Sequence, residues 1–286
     1  EAYARKNLSP PPAETYKHRQ GKLLVIAGSK GFTGAACLAA ESAVRSGAGL
    51  VVAAVPESLN SIFERKLTET MTLPILDDGN GFLNKNALDS LHNWFGWSDA
   101  LLMGPGVGID HQVGELVKGV IHNYKKPLVL DADGLRHIKD DLDLLSQLED
   151  TFILTPHYGE ASGLFGVEQN EISDDPFKFA TEAGGRSGGV LVLKGAPTLT
   201  AFGNEVIANT SGHQGLATGG TGDVLAGIIS GFLCQGMSIE VAAQLAVFVH
   251  GRSADLLLKE KGYRGLAASD LIEKIPSIIS NYQTGR

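Results

Sequence analysis

Six short apolar runs constrain what this chain can fold into. They are KLLVIAG (22–28), GLVVAAV (49–55), DALLMG (99–104), PLVLDAD (127–133), TFILTP (151–156) and GVLVLKG (189–195). None alternates apolar with polar residues, so none suits a strand with one face in water. Continuous apolar runs of this length fit strands buried on both faces of a parallel sheet. Helical patterns near 34–47, 85–94, 111–124 and 176–187 separate them. The β-α-β-α order predicts right-handed crossovers and a three-layer α/β/α sandwich with a mostly parallel central sheet.

After Lys194 the pattern changes. TLTAF (198–202) and EVIAN (205–209) flank Gly203-Asn204, which predicts a β-hairpin with a tight turn. Helices are expected over 222–235, 239–260 and 268–281, the second capped by Ser238. No repeat or composition shift divides the body, so residues 22–286 read as one domain. Residues 1–21 are polar and contain Pro10, Pro11 and Pro12, which reads as an extended arm or linker.

The 286 residues are 43% hydrophobic, enough for a large core, and carry a net charge of −8. That balance argues against nucleic acid, whose binders show a basic surplus or stripe. Cys37 and Cys234 lie in apolar helical patterns and read as small buried hydrophobes, without disulfide or metal spacing. With no signal peptide and no apolar run judged long enough to span a bilayer, a cytoplasmic protein without a membrane partner is expected.

Each strand end carries something chemical. Gly28 to Gly34 follow the first, Gly104-Pro105-Gly106-Val107-Gly108 another, Asp131 and Asp133 a third, His157 and Glu160 a fourth. In open parallel sheets ligands bind beyond the carboxyl ends of the strands, so one cleft is expected. Neither the P-loop pattern nor the dinucleotide G-x-G-x-x-G is present.

The segment TGGTGD (218–223) is more specific. Successive amides in a glycine-rich turn form an anion nest, and a helix starting there adds unpaired N–H groups and its dipole. A transferring phosphoryl group fits such a site. Asp223 beside it would take the proton of an attacking hydroxyl; the bland reading is an acid in a helix's first turn. Gly227 and Gly231 on the same helix read as allowing close packing on the sheet. Lys194 with Gly195, Ala196, Pro197 and Thr198 would hold a nucleotide's phosphates or sugar, or be a solvated strand end. His157 alone reads as a surface histidine and Glu160 as a first-turn acid.

Six segments, in order, resemble the nucleotide-dependent NAD(P)H-hydrate dehydratases of the ribokinase-like superfamily. They are GSKGFTGAACLAAESAVRSGAGLV (28–51), MGPGVG (103–108), VLDADGL (129–135), LTPHYGE (154–160), VLKGAPT (192–198) and ATGGTGDVLAG (217–227). The resemblance implies a ribokinase-like sandwich with the β-hairpin before the final helices. It implies dehydration of (S)-NADHX and (S)-NADPHX to NADH and NADPH by phosphorylation of the ring hydroxyl and loss of phosphate. By resemblance, Asp223 is the base and Gly220, Thr221 and Gly222 form the anion hole. Lys194 to Thr198 and Gly222 bind the nucleotide, and Ala35, Gly106, His157 and Asp223 contact the hydrated dinucleotide. Magnesium is expected, held mainly by phosphates and waters, with Glu160 an indirect contributor.

ADP is the expected co-substrate by analogy, with ATP as the other choice. A fused or separate hydrate epimerase is an expected partner, and a homo-oligomer, a tetramer by resemblance, the expected assembly. Departures fall at Ala36 (often Pro), Tyr158 (often Pro) and His213 (often Asn). Kinases of pyrimidine and thiazole precursors read T-P-N-x-x-E where this chain has His157. Such a kinase is the alternative reading, and a non-catalytic nucleotide sensor is a third.

Overall fold

The structure is a computed structural model that describes residues 1–139, 141–148 and 151–283. Residues 284–286, the last of the expected domain, lie outside the described residues. The strands are β1 (Lys22–Ile26), β2 (Leu50–Pro56), β3 (Met71–Ile75), β4 (Ala100–Met103), β5 (Leu128–Leu130), β6 (Phe152–Leu154), β7 (Val190–Leu193), β8 (Leu199–Phe202) and β9 (Glu205–Ala208). They form one sheet in the order β3-β2-β1-β4-β5-β6-β7-β8-β9. All pairings from β3 to β7 are parallel, and β7-β8 and β8-β9 are antiparallel. The chain leaves β1 in one direction and returns to its other side at β4, so the topological switch point lies between these two strands.

The helices are α1 (Ala2–Asn7), α2 (Thr33–Arg45), α3 (Asn60–Lys66), α4 (Ala87–Trp97), α5 (His111–Asn123), α6 (Asp133–Arg136), α7 (Tyr158–Phe165), α8 (Gln169–Asp174), α9 (Pro176–Ser187), α10 (Thr221–Cys234), α11 (Ile239–Lys261) and α12 (Ala268–Gln283). Alternate residues of each central strand feed opposite layers. Leu23 and Val25 of β1 join the core formed with α2, α10, α11 and α12, while Leu24 and Ile26 join that formed with α4, α5 and α9. Burial on both faces is what the unbroken apolar runs required.

Four features differ from the sequence reading. Strand β3 was not expected, because MTLPI is half exposed and contains Pro74. An edge strand tolerates proline, since one side of it needs no ladder donor. The N-terminal arm is not extended throughout. Ala4 and Leu8, at i and i+4 about α1, are buried, and Arg5 lies over the Tyr282 ring of α12 at 5.4 Å. Gly227 and Gly231 allow close packing against α2 rather than the sheet. A Cβ on Gly227 would strike Ser42 and the Ala39 carbonyl, and one on Gly231 would lie 2.9 Å from the Ala43 carbonyl oxygen. Finally, α11 is long and apolar enough to cross a membrane by length and composition, contrary to expectation. Within this fold it is a core helix, with Leu245, Ala246 and Val249 among its buried residues.

The hairpin forms as expected, with Gly203 at φ +53° as first residue of its turn and Phe202 paired to Glu205. Cys37 and Cys234 are buried free thiols.

Candidate active site

The glycine cluster ends where α10 begins. Gly220 is its N-cap at φ +91°, a backbone that side chains rarely adopt, and a Cβ there would lie 2.6 Å from Leu38 Cδ1. Thr221 opens the helix but turns inward. Its hydroxyl donates to the Leu216 or Thr218 carbonyl, at 2.8 and 2.9 Å, and its amide to Thr218 O at 3.4 Å. Among the described residues, the amides of Gly220, Gly222 and Asp223 have no acceptor. These are the unpaired first-turn donors of a helix, aimed with the positive end of its dipole. Of the three residues expected to form the anion hole, Thr221 therefore contributes neither hydroxyl nor a free amide here.

Lys194, at the end of β7, reaches the same helix mouth, since a Cβ on Gly222 would lie 3.5 Å from its Nζ. Its ammonium lies 2.9 Å from Asp131 Oδ1 and 3.6 Å from Glu160 Oε2. Asp131, at the end of β5, is 1% exposed and also accepts from the Thr155 hydroxyl at 2.7 Å. Burial alone would pull the lysine pKa down. Asp131, Glu160 and Asp223 more than offset it, and the net shift is upward. Lys194 is thus a half-buried, paired cation rather than a freely solvated strand end.

Asp223 sits at the third position of α10. Its carboxyl is pushed up to about 7 by burial first and then by the charge of Asp131, with Asp133 and Glu160 adding and Lys194 opposing. A carboxylate poised near neutrality beside unpaired amides has what a general base for phosphoryl transfer needs. From the next helix, His250 Nε2 lies 3.0 Å from the Thr221 carbonyl oxygen, in the first turn of α10. Burial pulls this histidine down to about 4, so it is neutral and donates through Nε2. Sequence reasoning missed His250, because an isolated histidine in an apolar helix carries no pattern. It named Asp131 only as a strand-end acid.

His157 caps α7. Its Nδ1 accepts from the Glu160 amide at 3.2 Å, and its own amide donates to Glu160 Oε2 at 2.9 Å, a capping box with histidine in the usual serine role. The ring is 54% exposed at the cleft rim. Across the switch point, Gly106 at φ +63° leaves no room for a side chain. A Cβ there would lie 2.7 Å from Phe32 Cβ and 3.2 Å from Ala35 Cβ. Ala35 and Gly106 are therefore neighbours, with the exposed ring of Phe32 beside them. The loop after β4 is tied to that after β5: the Gly108 amide donates to Asp133 Oδ2 at 3.1 Å, and His137 Nε2 meets the Gly108 carbonyl at 2.8 Å.

Gly195 to Thr198 form the β7–β8 loop, with a cis Ala196–Pro197 bond and Thr198 Oγ1 donating to the Gly195 carbonyl at 3.2 Å. The Tyr158 ring packs beneath it, since a Cβ on Gly195 would lie 2.6 Å from the phenol oxygen. His213 holds the loop entering the glycine cluster, accepting from the Gly215 amide at 3.0 Å while its Nε2 lies 2.9 Å from the Ala254 carbonyl.

Residues 23–277 match the family described as NAD(P)H-hydrate dehydratase. The bifunctional NAD(P)H-hydrate repair enzyme Nnr of Moorella thermoacetica is 37% identical over 283 residues, which is 99% of this chain and 53% of that protein. The chain thus spans about half the length of the curated relatives it matches. The ADP/ATP-dependent NAD(P)H-hydrate dehydratase of Bacillus subtilis, co-crystallised with ATP and Mg2+, superposes with a TM-score of 0.82 at 30% identity, covering 98% of this chain and 96% of that one. A ribokinase-like superfamily protein of Enterococcus faecalis gives 0.85 at 25% identity, covering 99% and 95%. The sheet order, the helix mouth at Gly220 and these matches agree: the chain belongs to the NAD(P)H-hydrate dehydratase family and has its ribokinase-like fold.

Proposed function

We propose that this chain is a lyase that returns (S)-NADHX and (S)-NADPHX to NADH and NADPH, consuming ADP or ATP. Asp223 takes the proton of the ring hydroxyl as its oxygen attacks the terminal phosphorus. The P–O bond to the nucleotide breaks, and AMP (from ADP) or ADP (from ATP) departs. The amides of Gly220 and Gly222 face the charge on the migrating phosphoryl group, where preorganised donors act most strongly. Lys194 and the Gly195–Thr198 loop hold the nucleotide, and Ala35, Gly106 and His157 the hydrated dinucleotide. The ring carbon–oxygen bond of the ester then breaks. Phosphate leaves with the bonding pair, the neighbouring ring carbon loses a proton, and the double bond reforms. Hydroxide is a poor leaving group and phosphate a good one, which is why a kinase scaffold serves a dehydration.

The observation that carries this reading is a carboxyl raised to about 7 beside unpaired amides at one helix mouth. Among the described residues no group of three or more His, Cys, Asp or Glu side chains is arranged to hold a metal. A magnesium ion bound through nucleotide phosphates and waters needs only one or two carboxylates, and Glu160, with 8% of its side chain exposed, fits that part. When bound, the ion would neutralise phosphate charge. A hydrate epimerase as fused or separate partner, a homo-oligomer and a cytoplasmic location belong to the same proposal.

The test is to incubate the chain with NADH hydrate, magnesium and ADP or ATP, following nicotinamide absorbance and phosphate. Return of NADH with equimolar phosphate supports the proposal. A stable phosphoester of an alcohol would make it a small-molecule kinase, and nucleotide binding without turnover a sensor.

A further inference from the structure

Beside Glu160, α6 and α7 border a cavity of about 180 Å³ whose lining includes Leu135, Arg136, Lys139, His157, Gly159 and Glu160. Its charge is unbalanced. Among the described residues, the acid within 4 Å of Arg136 is Asp133, at 3.9 Å, and that carboxylate already takes the Gly108 amide. Lys139 has no acid within 4 Å among the described residues. Glu160, the acid in the wall, is matched by Lys194 at 3.6 Å and by the His157 amide. Among the described residues, two cations thus line a cavity whose one carboxylate is already engaged, in a chain of net charge −8. Such a cavity attracts an anion, and arginine suits phosphate through its planar fork of donors.

Size decides what kind. Pockets that enclose a whole small ligand run about 300–1,000 Å³, so this one takes a single group of a larger molecule. Its wall shares His157 with the cleft rim. The nucleotide's own phosphates already have the helix mouth at Gly220. We propose that this cavity is a subsite for a phosphate of the dinucleotide substrate, held by Arg136 and Lys139. The inference rests on the function proposed above. Two sources share this chemistry, the 2′-phosphate of NADPHX and the pyrophosphate common to both hydrates.

The experiment uses the full chain and the double variant Arg136→Ala/Lys139→Ala, whose side chains lie at the surface. Steady-state kinetics are run with NADHX and NADPHX at saturating nucleotide, and binding of NADP+ and NAD+ is measured separately by calorimetry. The expected result is a KM raised about tenfold with kcat within twofold and the nucleotide KM unmoved. A loss confined to NADPHX and NADP+ assigns the 2′-phosphate, and an equal loss for both pairs assigns the pyrophosphate. A change in nucleotide KM alone, or equal dinucleotide binding by wild type and variant, overturns the subsite. Wild-type chain that binds dinucleotide but returns no NADH rejects the proposed function instead, and the calorimetric comparison still decides the subsite.

Discussion

The Lys194 ammonium lies 2.9 Å from a carboxylate oxygen of Asp131, which is almost fully shielded from solvent. The cation nearest the helix mouth is therefore matched to Asp131 and only partly relieves Asp223. Burial first, and then the charge of Asp131, raise Asp223 although a lysine stands beside it.

The first consequence is a pH profile. A base must be unprotonated to act, so kcat/KM should fall on the acid side of a pKa of about 7, with one proton lost per unit slope. A profile measured from pH 5 to 9 checks this. An acid limb near 4, the ordinary aspartate range, would mean that the site does not raise Asp223. Asp223→Asn should lose at least about a thousandfold in kcat while keeping its nucleotide affinity, consistent with base catalysis plus an orienting bond.

Asp223 should also cost stability. The folded state holds its proton up to about 7, whereas an unfolded aspartate releases it near 3.8. Stability from this group is therefore greatest below the lower value, declines as pH rises between the two, and stays low above 7. Asparagine bears no such cost. Asp223→Asn should be more stable than wild type at pH 8 by about 2 kcal/mol after allowing for solvent screening, or roughly 3 °C in Tm. Thermal melts at pH 8 and pH 4 should show that gap closing at the lower pH.

Ala132 stands between the two strand-end acids with φ +50° and ψ −123°, a conformation that favours glycine. Holding alanine there costs on the order of 1 kcal/mol or more. Ala132→Gly should therefore gain about 1 kcal/mol in denaturant melts. It should also loosen Asp131 and Asp133, lowering kcat more than it raises KM. An unstable variant would show that the strain assigned to Ala132 is absent.

What was legible in the sequence was whatever repeats or crowds. The strands from KLLVIAG to GVLVLKG were visible because burial on both faces leaves unbroken apolar runs. The helix at 176–187 matched residue for residue, with Pro176 at its first position and Gly188 in the left-handed conformation after it. Three glycines around one threonine marked the helix mouth. What stayed hidden depends on contacts between distant segments. Nothing local shows that Lys194 is matched by Asp131, sixty-three residues away, or that Gly227 faces α2 rather than the sheet. Strand β3 escaped because an exposed edge need not be apolar. Thr221 looked like a phosphate ligand by its place in TGGTGD. Only the fold shows its hydroxyl turned back to Leu216 and Thr218.

His250 brings the last prediction, because it acts on the helix mouth through Thr221. Its Nε2 donates to a carbonyl in the first turn of α10, one residue before Gly222. The ring is buried and neutral, and its folded pKa of about 4 lies below the ordinary 6.5. The unfolded chain therefore takes up a proton first as pH falls, and stability is lost between 6.5 and 4 by up to about 3 kcal/mol. His250→Gln keeps a donor but cannot titrate, so its melts should lack that acid loss while kcat stays within a few-fold of wild type. His250→Phe fills similar volume but leaves the turn without its donor. Its kcat should fall at least tenfold with nucleotide KM little changed. If glutamine and phenylalanine reduce kcat equally while both fold, the hydrogen bond to Thr221 does not position the mouth, and packing alone explains the buried ring.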